Sequence, residues 1–319
     1  MQQACIGMGA LWLALAIDRW CGEPPARVHP VVWMGGWLGF AGRQVAPMAA
    51  RTPQPRLRPF VAAALAWWAG AALAVAAAVA LEQAALRHLP TWLAALALGV
   101  LLKPLLAWRM LREEVRAVES ALAVSLDAGR ERLARLVSRD VQALDAAAVR
   151  ESALESLAEN LNDSVVAPLL WFALLGLPGA ALYRFANTAD AMWGYRGERG
   201  GRDWTWAGKW AARADDVLSW LPARITALLL ALAAARWPAG LAREAAHTPS
   251  PNSGWPMAAA ALLLGVRLGK PGVYALNPAG AAPVAADTPR AVALAGGAVG
   301  LAALAGTGLL AARAGWSGG

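Results

Sequence analysis

The chain has 319 residues, 58% hydrophobic and 16% charged, and its mean hydropathy of +0.43 excludes an ordinary soluble domain and predicts a polytopic membrane protein. Its net charge of +8 comes from Lys and Arg gathered in short loops, and no basic run alternates with aromatic residues, so nucleic acid is not an expected partner. Two cysteines and three scattered histidines exclude a disulfide framework and a cysteine or histidine metal site.

The first hundred residues predict one helix, one short segment and a helical hairpin. Residues 4–17 are apolar but lack a preceding positive charge and a small-residue cleavage site, so we expect a retained first helix. Residues 31–47 are apolar, short and interrupted by glycines, which favours a re-entrant or interfacial segment. Residues 60–81 and 89–108 are each long enough to cross a hydrocarbon core of about 30 Å.

The middle of the chain changes character. Residues 109–164 carry charges of both signs, and apolar residues such as Val115, Val118 and Leu122 recur at spacings of three and four, which predicts a cytoplasmic section of amphipathic helices. Residues 165–182 are apolar again, but prolines and the Gly-Leu-Pro-Gly sequence at 176–179 predict a bent or paired half-span.

The remaining segments complete an all-α polytopic fold with about four to six spans in a single domain of residues 1–319. Residues 184–217 are rich in arginine and predict a cytoplasmic loop within the candidate active site. A further helix at 218–237, a short apolar stretch at 255–268 and a last span at 291–312 follow.

An acidic stripe is the first candidate for chemistry. Glu155, Glu159 and Asp163 are spaced by four residues, so on a helix they share one face and repel one another by a few tenths of a kcal/mol per pair. A stripe of this kind beside a membrane span is expected to meet arginines or a Mg²⁺ ion carrying nucleotide phosphates. A solvated helix face that ends in acidic residues is the open alternative.

Two shorter polar groups follow. Asn187 and Asp190 lie one helical turn apart, although an ordinary cap or turn would show the same spacing. Arg213 and Asp216 lie on one helical face beside Asp215, and the alternative is surface ion pairs worth under about 1 kcal/mol.

Arg224 lies inside an apolar helix, where an isolated cation is costly, so it needs an anionic partner such as Asp216 or a phosphate, or must snorkel to the headgroups. His29-Pro30 and Ser250-Pro251-Asn252 are most simply rigid polar turns. Gly269-Lys270 is followed by proline, so no phosphate-binding loop of the Gly-Lys-Ser/Thr type is present.

A set of short motifs in a fixed order carries a family resemblance. In chain order they are Asp18-Arg19, His29-Pro30, Glu155-Ser156-Leu157-Ala158-Glu159-Asn160 with Asp163, Ala167-Pro168, Tyr183-Arg184, Asn187-Thr188-x-Asp190-x-Met192-x-Gly194-Tyr195, Ala212-Arg213-x-Asp215-Asp216, Pro222-Ala223-Arg224 and Ser250-Pro251-Asn252. Together they resemble the CobD/CbiB family over about residues 10–275. The chain departs from the family pattern at Lys270 and Leu276, where glycine is usual.

The resemblance implies an integral membrane enzyme of cobalamin biosynthesis, an adenosylcobinamide-phosphate synthase. Such an enzyme uses ATP to join a carboxylate of adenosylcobyric acid to the amine of 1-aminopropan-2-ol O-phosphate, or of the free amino alcohol. The resemblance also implies ATP and Mg²⁺ as cofactors and other late enzymes of the pathway as partners. It further implies a location in the bacterial cytoplasmic membrane, with the active site facing the cytoplasm.

Residue type and motif match together suggest individual roles. We expect Mg²⁺ and nucleotide binding by Glu155, Glu159, Asp163 and Asp190. We expect substrate or phosphate binding by Arg213, Arg224, Asn160, Asn187, Ser250 and Asn252, and acid–base chemistry by Asp215, Asp216 or His29. Two alternatives of other classes are an AmpE-like membrane signalling modulator without catalysis and a membrane transporter, although no inverted repeat supports the latter.

Overall fold

A computed structural model describes residues 1–49 and 56–316 of the chain. Its regular elements are α1 (Gln2–Cys21), α2 (Pro30–Val45), α3 (Leu57–His88), α4 (Thr91–Leu102), α5 (Trp108–Leu122), α6 (Leu126–Leu133), α7 (Ala146–Leu161), a π-helix (Asn162–Val166), α8 (Ala167–Trp193), β1 (Glu198–Arg199), β2 (Arg202–Asp203), α9 (Lys209–Ala233), α10 (Leu241–Ala245), α11 (Gly254–Leu264), β3 (Leu268–Lys270), β4 (Tyr274–Leu276) and α12 (Asp287–Trp316).

In this part of the chain, six helical segments are long and apolar enough to cross a membrane. They are Gln2–Cys21, Leu57–His88, Thr91–Leu122, Ala146–Trp193, Lys209–Ala233 and Asp287–Gly315. The prediction of an all-α polytopic membrane protein is therefore confirmed, with six candidate spans at the upper end of the expected number.

The chain divides into two compact units. The first contains Met1–Leu106, Pro168–Leu218 and Gly306–Gly319, and the second contains Ala107–Ala167 and Ser219–Ala305. Each unit gathers segments that are distant in the sequence. The expectation that residues 1–319 act as a single domain stays a prediction.

Small residues let the helices of the first unit approach closely, as is common in membranes. A β-carbon on Gly99 of α4 would lie 2.8 Å from the β-carbon of Leu13 in α1. The α1–α4 contact therefore depends on the absence of a side chain at position 99. Further along the unit, Leu38, Trp67, Phe185 and Trp193 are all buried in a common core.

The predicted bend in the 165–182 segment is confirmed at Gly176. This glycine has φ of +72°, so α8 is broken there into two helical parts. The Glu82 carboxylate accepts a hydrogen bond from the Leu177 N–H at 2.6 Å, and the Arg313 guanidinium donates to the Ala173 carbonyl at 2.8 Å. The break therefore leaves the Leu177 N–H and the Ala173 carbonyl without a partner inside α8. Glu82 and Arg313, from other helices, supply the missing partners.

Replacing Gly176 with alanine is expected to lower the free energy of unfolding by about 1–2 kcal/mol, because a residue with a β-carbon disfavours positive φ. The added carbon would also lie 2.6 Å from a Glu82 carboxylate oxygen. Thermal unfolding in detergent would measure the loss. Gly300→Ala in α12 is the matched control, since its β-carbon would meet no atom within 4 Å, and equal midpoints for the two variants would contradict the prediction.

The second unit contains the section predicted to be amphipathic. Helices α5, α6 and α7 lie there, and Val115, Val118 and Leu133 are fully buried as the spacing predicted. Two ion pairs join the helices: Glu119 on α5 accepts from Arg150 on α7 at 2.8 Å, and Arg132 on α6 donates to Glu114 on α5 at 2.7 Å. The cytoplasmic location of this section stays a prediction.

One segment prediction differs from the structure. The proposed loop at 184–217 is wrong in its extent, because α8 continues to Trp193 and α9 begins at Lys209. The arginines on these helical turns suggest a loop by their charge, but the alanines between them favour helix. Residues 31–47 mostly form α2, a helix of 16 residues that is not among the six candidate spans, so a re-entrant or interfacial segment stays the prediction for them.

Candidate functional site

The acidic face of α7 is met by basic and phenolic side chains. Glu151 accepts two hydrogen bonds from Arg267 at 3.1 and 2.8 Å. Glu155 accepts from the Tyr274 hydroxyl at 2.8 Å and from Arg139 at 3.3 Å. The charges of Arg139 and Lys270 also act on Glu159, together with those of Glu155 and Asp163. The expectation that the stripe meets cations from the protein is therefore confirmed.

The predicted metal ligands do not form one ion cage. Glu155 and Asp163 are separated by eight residues, which is about 12 Å along a helix, whereas a bound Mg²⁺ lies only about 2.1 Å from its ligands. Among the residues that the structure describes, no group of three or more Asp, Glu, His or Cys could hold a metal ion. The assignment of Mg²⁺ and nucleotide binding to these carboxylates, which does not require one cage, stays a prediction.

The stripe also changes its geometry at its end. The α-helix stops at Leu161 and a π-helical turn follows over Asn162–Val166, a feature frequent at functional sites. The Asn162 amide donates to Asp163 at 2.8 Å, and its oxygen accepts from the Thr226 hydroxyl at 3.0 Å. Asn160 instead folds back and donates to the Ser156 carbonyl at 3.0 Å. Asp163 is thus held by Asn162, the amide that precedes it in the sequence.

Two separate motifs meet at Arg224 in the second unit. Its guanidinium donates to the Asn252 side chain at 3.1 Å and to the Trp220 carbonyl at 2.7 Å. The Trp220 and Trp255 rings lie over it, at 4.2 and 4.8 Å from their centroids. Ser250 accepts from the Asn252 N–H at 3.2 Å, which confirms the expected polar turn. Arg224 is therefore rigidly positioned, and neutral oxygens accept its hydrogen bonds.

A second polar cluster lies in the first unit. The Asn187 amide donates to Asp215 at 3.4 Å, and Arg184 approaches the Asn187 oxygen at 3.5 Å. These contacts join α8 to α9 and bring together two more of the sequence motifs.

The neighbouring acids of this unit are also constrained. A β-carbon on Gly194 would overlap the Asp190 carboxylate, which explains why glycine is required four residues after Asp190. The charges of Arg213 and Arg196 act on Asp216.

His29 belongs to a buried charge network in the first unit. Its Nδ1 accepts from the Val31 N–H at 3.2 Å as the cap of α2, and its Nε2 lies 3.2 Å from Glu23. Lys103, only 3% exposed, pairs with Glu23 at 2.8 Å and with Asp18 at 3.4 Å. Both ring nitrogens of His29 are therefore engaged, which favours a structural role over that of a catalytic base.

An apolar cavity of about 1050 Å³ in the first unit adjoins this network. Glu23 and Lys103 are the charged residues of its wall, and Trp33, Trp37 and Leu73 contribute to its apolar lining. The network therefore sits at the border of a space that is otherwise hydrophobic.

Replacing His29 with asparagine is expected to keep turnover within about threefold of the wild type, because the Asn oxygen can accept the Val31 N–H. His29→Ala should lower the free energy of unfolding by about 1 kcal/mol through loss of the cap. Turnover and thermal unfolding of both variants would be measured side by side. A loss of turnover in His29→Asn of a hundredfold or more would restore the role of general base.

Glu151, Glu155 and Glu159 of α7, together with the four side chains that meet them, form the α7 cluster. Those four were not singled out as site residues in the sequence. Arg139, Arg267, Lys270 and Tyr274 come from a loop and from the β3–β4 hairpin, and only the fold brings them to α7. The departures from the family pattern at 270 and 276 were the available signal, because they fall in this hairpin.

Comparison with known proteins gives a consistent result. The family model described as CobD/Cbib protein matches residues 11–296. The chain is 43% identical over 262 residues to cobalamin biosynthesis protein CobD of Chromobacterium violaceum, covering 81% of this chain and 80% of that protein. It is 39% identical over 277 residues to probable cobalamin biosynthesis protein CobD of Methanothermobacter thermautotrophicus, covering 85% and 86%.

A third relative, cobalamin biosynthesis protein CobD of Rhodobacter capsulatus, is 39% identical over 307 residues, covering 88% of this chain and 90% of that protein. No solved structure matches. With a family model over nearly the whole length, and relatives well above 30% identity, the chain belongs to the CobD/CbiB family.

Proposed function

We propose that this protein acts in cobalamin biosynthesis as an ATP-dependent, amide-forming enzyme of the bacterial cytoplasmic membrane, with its active site facing the cytoplasm. It would join adenosylcobyric acid to 1-aminopropan-2-ol O-phosphate and give adenosylcobinamide phosphate, or to the free amino alcohol and give adenosylcobinamide. One observation carries the proposal: polar side chains of separate family motifs contact one another, as in Arg224 with Asn252 and Asn187 with Asp215.

The chemistry explains why such residues are needed. A carboxylate and an amine do not condense at neutral pH, so one carboxylate oxygen of the corrinoid first takes the terminal phosphoryl group of ATP, and ADP leaves. The free amine then attacks the carbonyl carbon and inorganic phosphate leaves. Arginines such as Arg213 and Arg224 would offset phosphate charge, and a carboxylate such as Asp215 or Asp216 would accept a proton from the ammonium.

Mg²⁺ accompanies ATP in this proposal as the ion that balances the nucleotide charge. Because Mg²⁺ usually binds through one or two carboxylates together with phosphate oxygens, it does not need the four predicted ligands in one cage. We therefore assign no catalytic step to a protein-bound ion.

The direct test is an assay of purified protein with adenosylcobyric acid, ATP, Mg²⁺ and either amine, followed by mass spectrometry. Product containing the new amide bond, together with ADP, is the expected result, and absence of product with both amines would reject the proposal. Growth rescue separates the alternatives: a strain lacking the synthase and fed cobyric acid should recover. Rescue only with external cobinamide would favour a transporter, and no rescue would favour a signalling modulator.

A further inference from the structure

The α7 cluster contains as many cations as glutamates. Glu151, Glu155 and Glu159 meet Arg267, Arg139 and Lys270, and Asp163 adds a fourth carboxylate whose charge acts on Glu159. The cluster therefore presents charges of both signs, and a molecule with one positive and one negative group can pair with both of them.

Glu155 provides the observation that points to a ligand. Its side chain is only 8% exposed, and both Tyr274 and Arg139 donate to the same oxygen, Oε1. Within the described part of the chain, Oε2 is buried and has no hydrogen-bond partner, and the same holds for Nη1 of Arg139. A buried donor or acceptor that lacks a hydrogen-bond partner costs about 1–3 kcal/mol of stability, and more when it is charged. Both atoms therefore favour a bound partner.

The hairpin carries a further cation on the face that contacts Glu155. Lys270 on β3 is paired with Tyr274 on β4 in the antiparallel register, so their side chains lie on the same face of the hairpin. Tyr274 reaches Glu155, and Lys270 is exposed, with its charge acting on Glu159. Burial, and then the Glu155 charge, raise the pKa of the Tyr274 hydroxyl, so it remains a donor at neutral pH.

We propose that Glu155, Arg139, Tyr274 and Lys270 form the binding site for the amine donor, a small molecule carrying a primary ammonium and a phosphate. The ammonium, with three donors and no acceptor, would bind Oε2 of Glu155. Arg139 and Lys270 would bind the phosphate, and Tyr274 is a positioning residue that fixes the Glu155 carboxylate. The inference rests on the proposed function and reassigns Glu155 from metal ligand to ammonium ligand.

Binding is tested by calorimetry on purified protein without ATP or Mg²⁺. The probes are 1-aminopropan-2-ol O-phosphate, the free amino alcohol, and propan-2-yl phosphate, which lacks the amine. The wild type should bind the first probe at least about tenfold more tightly than the third, as expected for a hydrogen-bonded charge pair. Equal affinities for these two probes, or no binding of the first, would overturn the proposal.

Two variants separate the ammonium from the phosphate. Glu155→Gln should abolish the preference for the amine. Lys270→Ala, at an exposed position that leaves the core intact, should weaken binding of the phosphorylated amine about tenfold and leave the free amino alcohol unchanged. Arg243→Ala is the control, because Arg243 is an exposed cation of the same unit with 81% of its side chain accessible. Equal losses for both amines in Lys270→Ala would overturn the phosphate assignment.

Kinetics distinguish this inference from the proposed function. If the wild type forms the amide, Tyr274→Phe and Glu155→Gln should raise KM for the amine and leave KM for ATP unchanged. If product forms but Glu155→Gln shifts only the Mg²⁺ concentration needed for half-maximal rate, Glu155 is a metal ligand and the inference fails. If the wild type forms no amide at all, the proposed function fails, whatever the binding data show.

Discussion

Replacing Glu159 with glutamine is expected to lower the rate of amide formation by at least about a hundredfold, with the fold intact. Glu159 is partly buried on the acidic face of α7, and the charges of Arg139 and Lys270 act on it. Glu159 is a predicted ligand of the Mg²⁺ that accompanies the nucleotide. This role needs the negative charge, and glutamine removes it while keeping the shape of the side chain.

Single-turnover formation of product, followed by mass spectrometry, is the measurement. Glu113→Gln is the matched control, since Glu113 lies on α5 of the same unit with 51% of its side chain exposed and pairs with Arg109 one turn away. Recovery of Glu159→Gln in excess Mg²⁺ is the result expected of a metal ligand. Persistence of the defect in excess Mg²⁺, or near-normal turnover without it, would contradict that role.

The sequence predicted the fold well wherever composition or periodicity decides the structure. Long uncharged runs identified α3 and α12, and glycine with proline located the break at Gly176. What it could not supply was the contact made at that break. Glu82 and Leu177 are 95 positions apart, so only packing of α3 against α8 brings the acid to the free N–H.

For the candidate site, motif order identified residues but not their partners. Arg224 was expected to need an anion, yet Asn252 and backbone carbonyls accept its hydrogen bonds. The acidic stripe was expected to meet arginines or a Mg²⁺ ion, and Arg139 does meet Glu155, but the contact from Tyr274 was not predicted. Asn252 and Tyr274 lie far along the chain from Arg224 and Glu155. Tertiary packing brings these residues together, and no local periodicity in the sequence reports such a contact.

Replacing Arg224 with lysine is expected to lower turnover by about a hundredfold even though the charge is retained. The planar guanidinium lies against the rings of Trp220 and Trp255 and donates at the same time to Asn252 and to the Trp220 carbonyl. A lysine ammonium cannot stack in this way and cannot direct several donors in one plane. Its charge would therefore be displaced from the position in which a substrate phosphate is bound.

The variant Arg236→Lys is the control that separates an effect of Arg224→Lys on substrate binding from an effect on stability. Arg236 also donates to two carbonyls, those of Leu262 at 3.0 Å and Leu263 at 2.9 Å, but it belongs to none of the family motifs. Both variants should lose about 1–3 kcal/mol of unfolding free energy, because hydrogen bonds to a charged group are lost in each. Only Arg224→Lys should lose turnover and show a raised KM for a phosphorylated substrate. Equal turnover in the two variants would mean that Arg224 serves only to hold the Ser250-Pro251-Asn252 turn against α9.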